Sequence, residues 1–386
     1  MAEPLDIVIA GNGPVGMLLA LALESSGVES VLVGGEREPA ERPIALSYNS
    51  RILLERVGAF RALAATPIQS IHVSQRGGFG RTLMRASECG LEAFGYVVSY
   101  SDLCASLRKS LATPALAGEV RRYAPSRQGD SMELEVASDG AQRVLQARLL
   151  VLAEGGPLAQ RGSSAGRFAW TGRRDYGQSA VVALVRTERA HGNGAWERFT
   201  PEGPIALLPF GDRLALIWST THESAHALCA LNDAAFLARL SGAFGARLGR
   251  FVEAGARSEF ALALRYRRSS PEPRVLAIGN AAQTLHPVAG QGLNLGLRDA
   301  WDLARLAEGS ERAAIGSGAF VRRYVAARAL DRGAGIGITD ALVRVFSNDN
   351  RVLSGLRGAG LAALDLAPPA RRFFARRMMF GARALP

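Results

Sequence analysis

Two glycine-rich turns, far apart in the chain, hold the residue types and spacings that can do chemistry. The first is Gly11-Asn12-Gly13-Pro14-Val15-Gly16. It follows an apolar run, Leu5-Asp6-Ile7-Val8-Ile9-Ala10, and opens an apolar helical stretch from Met17 to about Ser26. Gly27 ends that stretch, and Ser30-Val31-Leu32-Val33 reads as a second strand. In a βαβ unit this spacing makes a dinucleotide cradle. Gly11 permits the tight turn, Gly13 lets a pyrophosphate approach the backbone, and Gly16 lets helix pack on strand. The second turn follows Val275-Leu276-Ala277-Ile278-Gly279-Asn280, a buried strand ending in glycine. A loop with Pro287, Gly290, Gln291 and Gly292 comes next. From about Leu293 the apolar spacing is helical, through Leu297, Ala300, Trp301 and Ala304. Gly290 and Gly292 let backbone approach a ligand. The helix start at Leu293 and Asn294 offers N–H groups and the positive end of a dipole to a group that gains negative charge.

Side-chain catalysts are scarce. No Ser/His/Asp set, HExxH or Walker loop occurs. His286, in the second turn, has neither carboxylate nor cysteine beside it in sequence, so it stands as a lone candidate to face a ligand. The three cysteines, Cys89, Cys104 and Cys229, have no paired spacing, which argues against a disulfide framework and against a metal site. Chemistry resting on two backbone turns would belong to a bound cofactor.

The elements that must position these turns are legible in outline. A chain of 386 residues at 48% hydrophobic can bury a large core and suggests two or three domains. No apolar run is long enough to span a bilayer, and the acidic start Met1-Ala2-Glu3 is no signal peptide, so a cytoplasmic protein is expected. The net charge of +11 is carried by arginine, Lys109 being the only lysine; it favours anionic partners, and no nucleic-acid motif accompanies it. After Arg42-Pro43-Ile44-Ala45-Leu46-Ser47 a helix is expected from Tyr48 to Val57. Another is expected from Asp102 to Leu111, with Ser101 or Asp102 as its cap. Ile71–Val73 and Gly95–Val98 read as strands, and Met132–Val136 with Arg143–Ala147 as a hairpin. Ala147 to Gly156 is a buried strand ending in glycines. From Asp175 the texture alternates like an antiparallel sheet, broken by a helix near Asp233–Ala243. The chain after the second turn is helical.

The two turns together resemble the flavin motifs of the FAD-dependent aromatic hydroxylases, the class A flavoprotein monooxygenases, and within them the ubiquinone-biosynthesis hydroxylases. The family's usual Gly-Asp reads Gly279-Asn280 here. The resemblance implies an α/β (α+β overall) fold. It has a Rossmann-like FAD-binding domain (1–171 and 266–310), an inserted, mostly antiparallel sheet domain for substrate (172–265, with a contribution from 74–94), and a helical C-terminal region (311–386). It implies FAD held by Gly11, Gly13, Pro14, Gly16, Gly279, Asn280, Pro287, Gly290, Gln291, Gly292, Leu293 and Asn294. Arg42 is expected near the cofactor phosphates, where a guanidinium can pair bidentately. The ribose carboxylate position aligns with Gly34, and spacing brings forward Glu36. The family's Asp-Gly motif reads Glu154-Gly155, with Leu158 in place of its serine and Arg161 at its arginine position. Leu207, Phe210 and Trp218 are expected to line the substrate pocket.

The activity implied is hydroxylation of a polyprenyl phenol with NADPH or NADH and dioxygen, through a flavin C4a-hydroperoxide. Its greasy substrate implies peripheral contact with the inner membrane and other quinone-biosynthesis proteins as partners. The basic, aromatic and Met-bearing segment Arg371–Phe380 is the expected point of contact, the alternative being a helix packed on the flavin domain. Two further readings fit the residues: a catalytically weak flavoprotein with a structural role in a biosynthetic complex, suggested by Gly34, Glu154 and Leu158, and an FAD hydroxylase of a small soluble phenol.

Overall fold

The structure, a computed structural model, describes residues 3–35, 41–113, 115–138, 141–154, 171–267, 274–285, 291–346 and 351–381. The chain begins with strand β1 (Leu5–Ala10), helix α1 (Pro14–Glu24) and strand β2 (Ser30–Val33). Strand β3 (Pro43–Ser47) runs into α2 (Tyr48–Arg56), capped by the Ser47 side chain, which accepts from Ser50 N. Then come β4 (Thr66–Ile68), β5 (Ser70–Gln75), β6 (Arg81–Arg85), β7 (Gly95–Ser99) and α3 (Tyr100–Ser110). The cap of α3 is Ser99, not Ser101 or Asp102: it is the last extended residue, and its Oγ accepts from Asp102 N at 3.5 Å. Strands β8 (Glu119–Pro125), β9 (Met132–Ser138) and β10 (Ala141–Leu152) follow. Next are β11 (Gly172–Thr187), β12 (Gly194–Thr200), β13 (Gly203–Phe210), β14 (Arg213–Thr221), α4 (His222–Ala230), α5 (Asp233–Phe244), β15 (Phe251–Ala254) and β16 (Ser258–Tyr266). The chain ends with β17 (Val275–Ala277), β18 (Gln283–Thr284), α6 (Gln291–Glu308), α7 (Gly318–Phe346), α8 (Arg351–Leu366) and α9 (Pro368–Phe380).

One sheet has the order β2-β1-β10-β9-β8, with β17 also on β10. Its β1, β2, β10 and β17 run parallel. Ile7 and Ile9 pack with α1 and α6, while Val8 and Ala10 pack into a second cluster, so both faces of β1 are buried. That is why the strand reads as a continuous apolar run. The β9–β10 hairpin pairs Ser138 with Ala141 and Met132 with Ala147, and β10 continues to Leu152. The hairpin arm and the buried strand expected after it are one strand.

The second sheet has the order β18-β16-β11-β14-β13-β12-β5-β6, with β15 also on β11. Strands β5 and β6 reach it from the N-terminal part of the chain, through a parallel pairing of β5 with β12. The early contribution thus begins at Ser70 and ends at Arg85. One face of this sheet is covered by α4 and α5, whose Leu228, Phe236 and Leu240 pack on Leu207, Leu216 and Trp218. The other face looks toward the helix starts of the first layer and toward α8 and α9. No helix among the described residues is long and apolar enough to cross a membrane.

Candidate active site

The first glycine turn opens on a cavity of about 850 Å³ lined by residues 10–15, Gly34, Gly35, Glu154, Gly279 and Asn280. The three glycines of the turn differ in what surrounds them. Gly11 has φ 131, in the left-handed region, and a Cβ there would crowd Glu154 N at 2.8 Å. A Cβ on Gly16 would overlap Gly11 O. A Cβ on Gly13 would meet no atom of the described residues within 4 Å, which leaves room for a ligand beside it. Asn12 Oδ1 is buried beside it without a hydrogen-bond partner among the described residues. Helix α1 starts at Pro14 and turns its N-terminus to this space. The arrangement fits the diphosphate of FAD.

Arg42 and Glu154 line the same cavity, and so does Arg108 on α3, which sequence reasoning missed. Tyr100, Cys104 and Arg108 all line it, and their spacing of four residues puts them on one helix face. Arg42 stacks over the Tyr100 ring at 4.7 Å. Burial pushes the Tyr100 hydroxyl and the Cys104 thiol up, so both stay protonated, and the positive charge on this wall comes from the guanidinium groups of Arg42 and Arg108, with Glu119 and Glu154 also lining the cavity. Gly34 has no room for a side chain: a Cβ would overlap that of Asn12. A carboxylate at this position is therefore excluded by packing. Glu36, Gly155, Leu158, Arg161, His286, Pro287 and Gly290 lie outside the described residues.

The second turn is held from behind. Gly279 sits at φ 55 and donates its N–H to Asp299 Oδ2 at 3.2 Å; Gln283 Nε2 donates to the same oxygen at 2.7 Å. Asp299 Oδ1 accepts from Arg328 Nε at 2.8 Å, and Arg328 also reaches Asp302 and Asp331 at 2.7 and 2.8 Å. Arg298 Nε donates to Asp331 Oδ2 at 2.8 Å. Asp299, Arg328 and Asp331 are all buried. Burial works against the Arg328 charge, but Asp299, Tyr324, Asp331 and Asp302 outweigh it and hold the guanidinium protonated beyond its ordinary range. At the start of α6, Asn294 Oδ1 accepts from Ser47 N at 2.8 Å and Ser50 Oγ at 2.7 Å, while its Nδ2 donates to Ala45 O at 3.0 Å. The Asn294 side chain thus clips α6 to the β3–α2 turn. Gln291 Nε2 donates to Met378 O at 3.4 Å and ties the same helix start to α9.

Gly292, Leu293 and Ile44 line both this cavity and a second one, of about 770 Å³. The two spaces meet at the first turn of α6, whose N–H groups have no intrahelical acceptor. A Cβ on Gly292 would meet no atom of the described residues within 4 Å. The second cavity is mostly apolar. Its walls include Ile71, Ala206, Leu208 and Ile217 from the sheet and Leu361 and Met378 from the C-terminal helices.

Two of the expected pocket residues are on the wrong side of the sheet. Leu207 and Trp218 pack under α4 and α5, while Ala206, Leu208 and Ile217 line the cavity. Side chains alternate along a strand, so a shift of one residue exchanges the faces. Phe210 packs with Ile68, Val97 and Ala195 and does not line the cavity. The contribution of α8 and α9 was also not foreseen. The inner face of α9 carries Phe374, Ala375, Met378 and Met379 into the cavity wall, and its Arg371 pairs with Glu88 at 3.2 Å. Of the two placements considered for residues 371–380, packing on the body is the one observed. The outer face, with Arg372, Phe373 and Arg376, is exposed.

A cradle for a dinucleotide joined at a helix start to an apolar cavity is the layout of a flavin-dependent oxygenase. The comparisons agree. A family model described as an FAD-binding domain matches residues 4–315, and the chain belongs to that family, one of FAD-dependent monooxygenases. It is 35% identical to the ubiquinone hydroxylase UbiL of Rhodospirillum rubrum, over 97% of this chain and 89% of that one. It is 30% identical to the 3-demethoxyubiquinol 3-hydroxylase of Escherichia coli, over 96% and 97% of the two chains. The p-nitrophenol 4-monooxygenase PnpA of Pseudomonas putida shares the fold, with a TM-score of 0.76 at 18% identity, over 99% of this chain and all of that one.

Proposed function

We propose that this chain hydroxylates the ring of a polyprenyl phenol in ubiquinone biosynthesis, with FAD as its cofactor, NADPH or NADH as reductant and dioxygen as oxidant. The observation that carries the reading is the junction at Gly292 and Leu293, where the dinucleotide cavity opens into the apolar one. FAD, when bound, supplies the redox chemistry of oxygen activation. The chain's own residues bind, orient and exclude water. Gly11, Gly13, the α1 start, Arg42 and Arg108 would hold the diphosphate. The α6 start would meet the flavin's polar edge, where donors stabilise developing charge. The apolar wall would hold the phenol and the near part of its tail, each buried methylene contributing about 0.8 kcal/mol.

A lipid substrate must reach this cavity from a bilayer. The exposed face of α9 offers the encounter surface: Arg372 and Arg376 for anionic headgroups, Phe373 for the interface. Since the inner face of the same helix lines the cavity, docking here brings the bilayer close to its wall.

The test is direct. Purified protein is expected to carry one non-covalent FAD per chain and to oxidise NAD(P)H faster when 2-geranylphenol is added, with a hydroxylated product. A colourless protein that takes up no FAD ends the reading. A flavoprotein inert to NAD(P)H with every phenol supports the structural-partner reading instead, and equal activity on untailed phenols supports a soluble substrate.

A further inference from the structure

On the cavity side of the second sheet, the strand register aligns Thr82, Val73, Glu197, Ala206 and Ile217 as one row across five adjacent strands. All five line the apolar cavity. Four are apolar or a small hydroxyl; the middle one is a carboxylate. Glu197 Oε1 is buried and has no hydrogen-bond partner among the described residues. Holding an unpaired carboxylate in an apolar wall costs free energy, and strand β12 has no need of one at this position. Among the described residues lining the cavity, Arg357 on α8 is the other ionisable side chain; β5, β6, β13, β14 and α9 present none to it. The remaining polar groups are those of Ser47, Thr82, Trp196, Gln291 and Asn294.

We propose that Glu197 is a catalytic residue: it accepts the hydrogen bond of the substrate's ring hydroxyl and takes that proton as the ring is hydroxylated. This rests on the hydroxylase reading and adds to it the group that recognises the phenol. A phenol O–H donates to a carboxylate, whereas an aryl ether cannot. Withdrawing the proton raises the electron density of the ring carbon that attacks the incoming oxygen atom. The oxygen atom comes from dioxygen: its O–O bond breaks as the carbon–oxygen bond forms, the second oxygen leaves as water, and NAD(P)H supplies the two electrons. The phenol loses one proton to Glu197 as the carbon–oxygen bond forms, leaving a ring ketone. The carbon that received the new oxygen then gives up its hydrogen as a proton, and the ketone oxygen regains a proton as the ring becomes aromatic again. Burial pushes the Glu197 carboxyl up to about 7. A base with that value is matched to proton transfer near neutral pH.

The test uses FAD-loaded protein, 2-geranylphenol and its methyl ether. For E197Q, hydroxylation kcat/KM is expected to fall about 10²–10⁴-fold, the usual worth of a general base, with flavin content unchanged. The acidic limb of the wild-type kcat/KM profile, near pH 7, should vanish in E197Q and return in E197D. Binding gives a second readout, from the change in flavin absorbance. Wild type should favour the phenol over its ether increasingly as pH rises through about 7, where Glu197 becomes an acceptor; E197Q should show no such trend. Should E197Q fail to fold, the pH trend of the phenol-to-ether preference in wild type decides alone, and a flat preference overturns the assignment. Turnover and a pH profile in E197Q equal to wild type also overturn it, and leave the hydroxylase reading standing. Wild type that neither binds nor hydroxylates the phenol overturns both.

Discussion

The three glycines of Gly11–Gly16 look alike in sequence, yet two are closed in by protein and one is not. Gly11 and Gly16 are closed in by Glu154 and by each other; Gly13 faces open space. Gly13→Val should therefore fold with a melting temperature near that of wild type, yet purify without the 450 nm flavin band. Normal flavin content in that variant would place the diphosphate elsewhere. Gly16→Val should instead fail at folding, because its side chain meets Gly11 O. This distinction is partly legible: motif spacing assigns the three roles, and the packing around each glycine shows which of them a side chain would crowd. Arg108 was missed because no motif marks it; the signal was the four-residue stripe with Tyr100 and Cys104. Leu207 and Trp218 were misplaced for a different reason. Strands β13 and β14 are apolar on both faces, one against α4 and α5 and one against the cavity, so alternation fixes the period and not the phase. Size misled as well: the bulky Trp218 lies on the helix-covered face, while small Ala206 is among the residues that line the cavity.

At the scale of elements, the second turn depends on helices that follow it. Gly279 is held by Asp299 on α6, and Asp299 is held by Arg328 on α7. The sequence shows helical spacing for α6, so the strand–turn–helix unit was readable. No local rule joins Asp299 to Arg328 or Asp331, about thirty residues on, and the network was invisible for that reason. Removing one member of a buried ion pair leaves the other uncompensated, at a cost of about 3–5 kcal/mol. Asp299→Ala should lower stability by that order in denaturant titration. It should also weaken FAD binding, since the Gly279 N–H loses its acceptor. Asp299→Asn keeps an acceptor of the same shape, so its flavin affinity should fall less than that of the Ala variant. A stability equal to wild type in Asp299→Ala would mean the network contributes nothing net, as some buried ion pairs do.

For the whole molecule, the question is how a chain of net charge +11 would meet the lipid substrate proposed for it. The C-terminal segment is built into the body of the protein, so its removal bears on more than a membrane contact. Helix α9 buries Ala375 and Met379 against Met84, Ala86 and Phe94, and Phe380 meets the Tyr48 ring edge-on at 6.0 Å. Deleting residues 371–386 would open the apolar cavity and expose this cluster, so the truncated protein should be less stable and slow on every phenol. The membrane question needs changes confined to the outer face. Phe373 is 65% exposed, Leu366 at the preceding turn is 84% exposed, and Arg377 stacks over Phe373 at 5.5 Å. Basic residues beside an anionic bilayer contribute about 1 kcal/mol each, so losing Arg372 and Arg376 should weaken partition by about 2 kcal/mol, roughly thirty-fold. R372A/R376A with F373S is therefore expected to retain FAD and full turnover of a short-tailed phenol in solution. Its co-sedimentation with vesicles containing phosphatidylglycerol should drop, and so should its activity on a long-tailed substrate presented in them. Raising salt should reduce wild-type binding toward that of the variant, because exposed charges are screened within about 10 Å at 0.1 M. Vesicle binding unchanged by these three substitutions, at low and at high salt, would mean that the lipid enters over another surface.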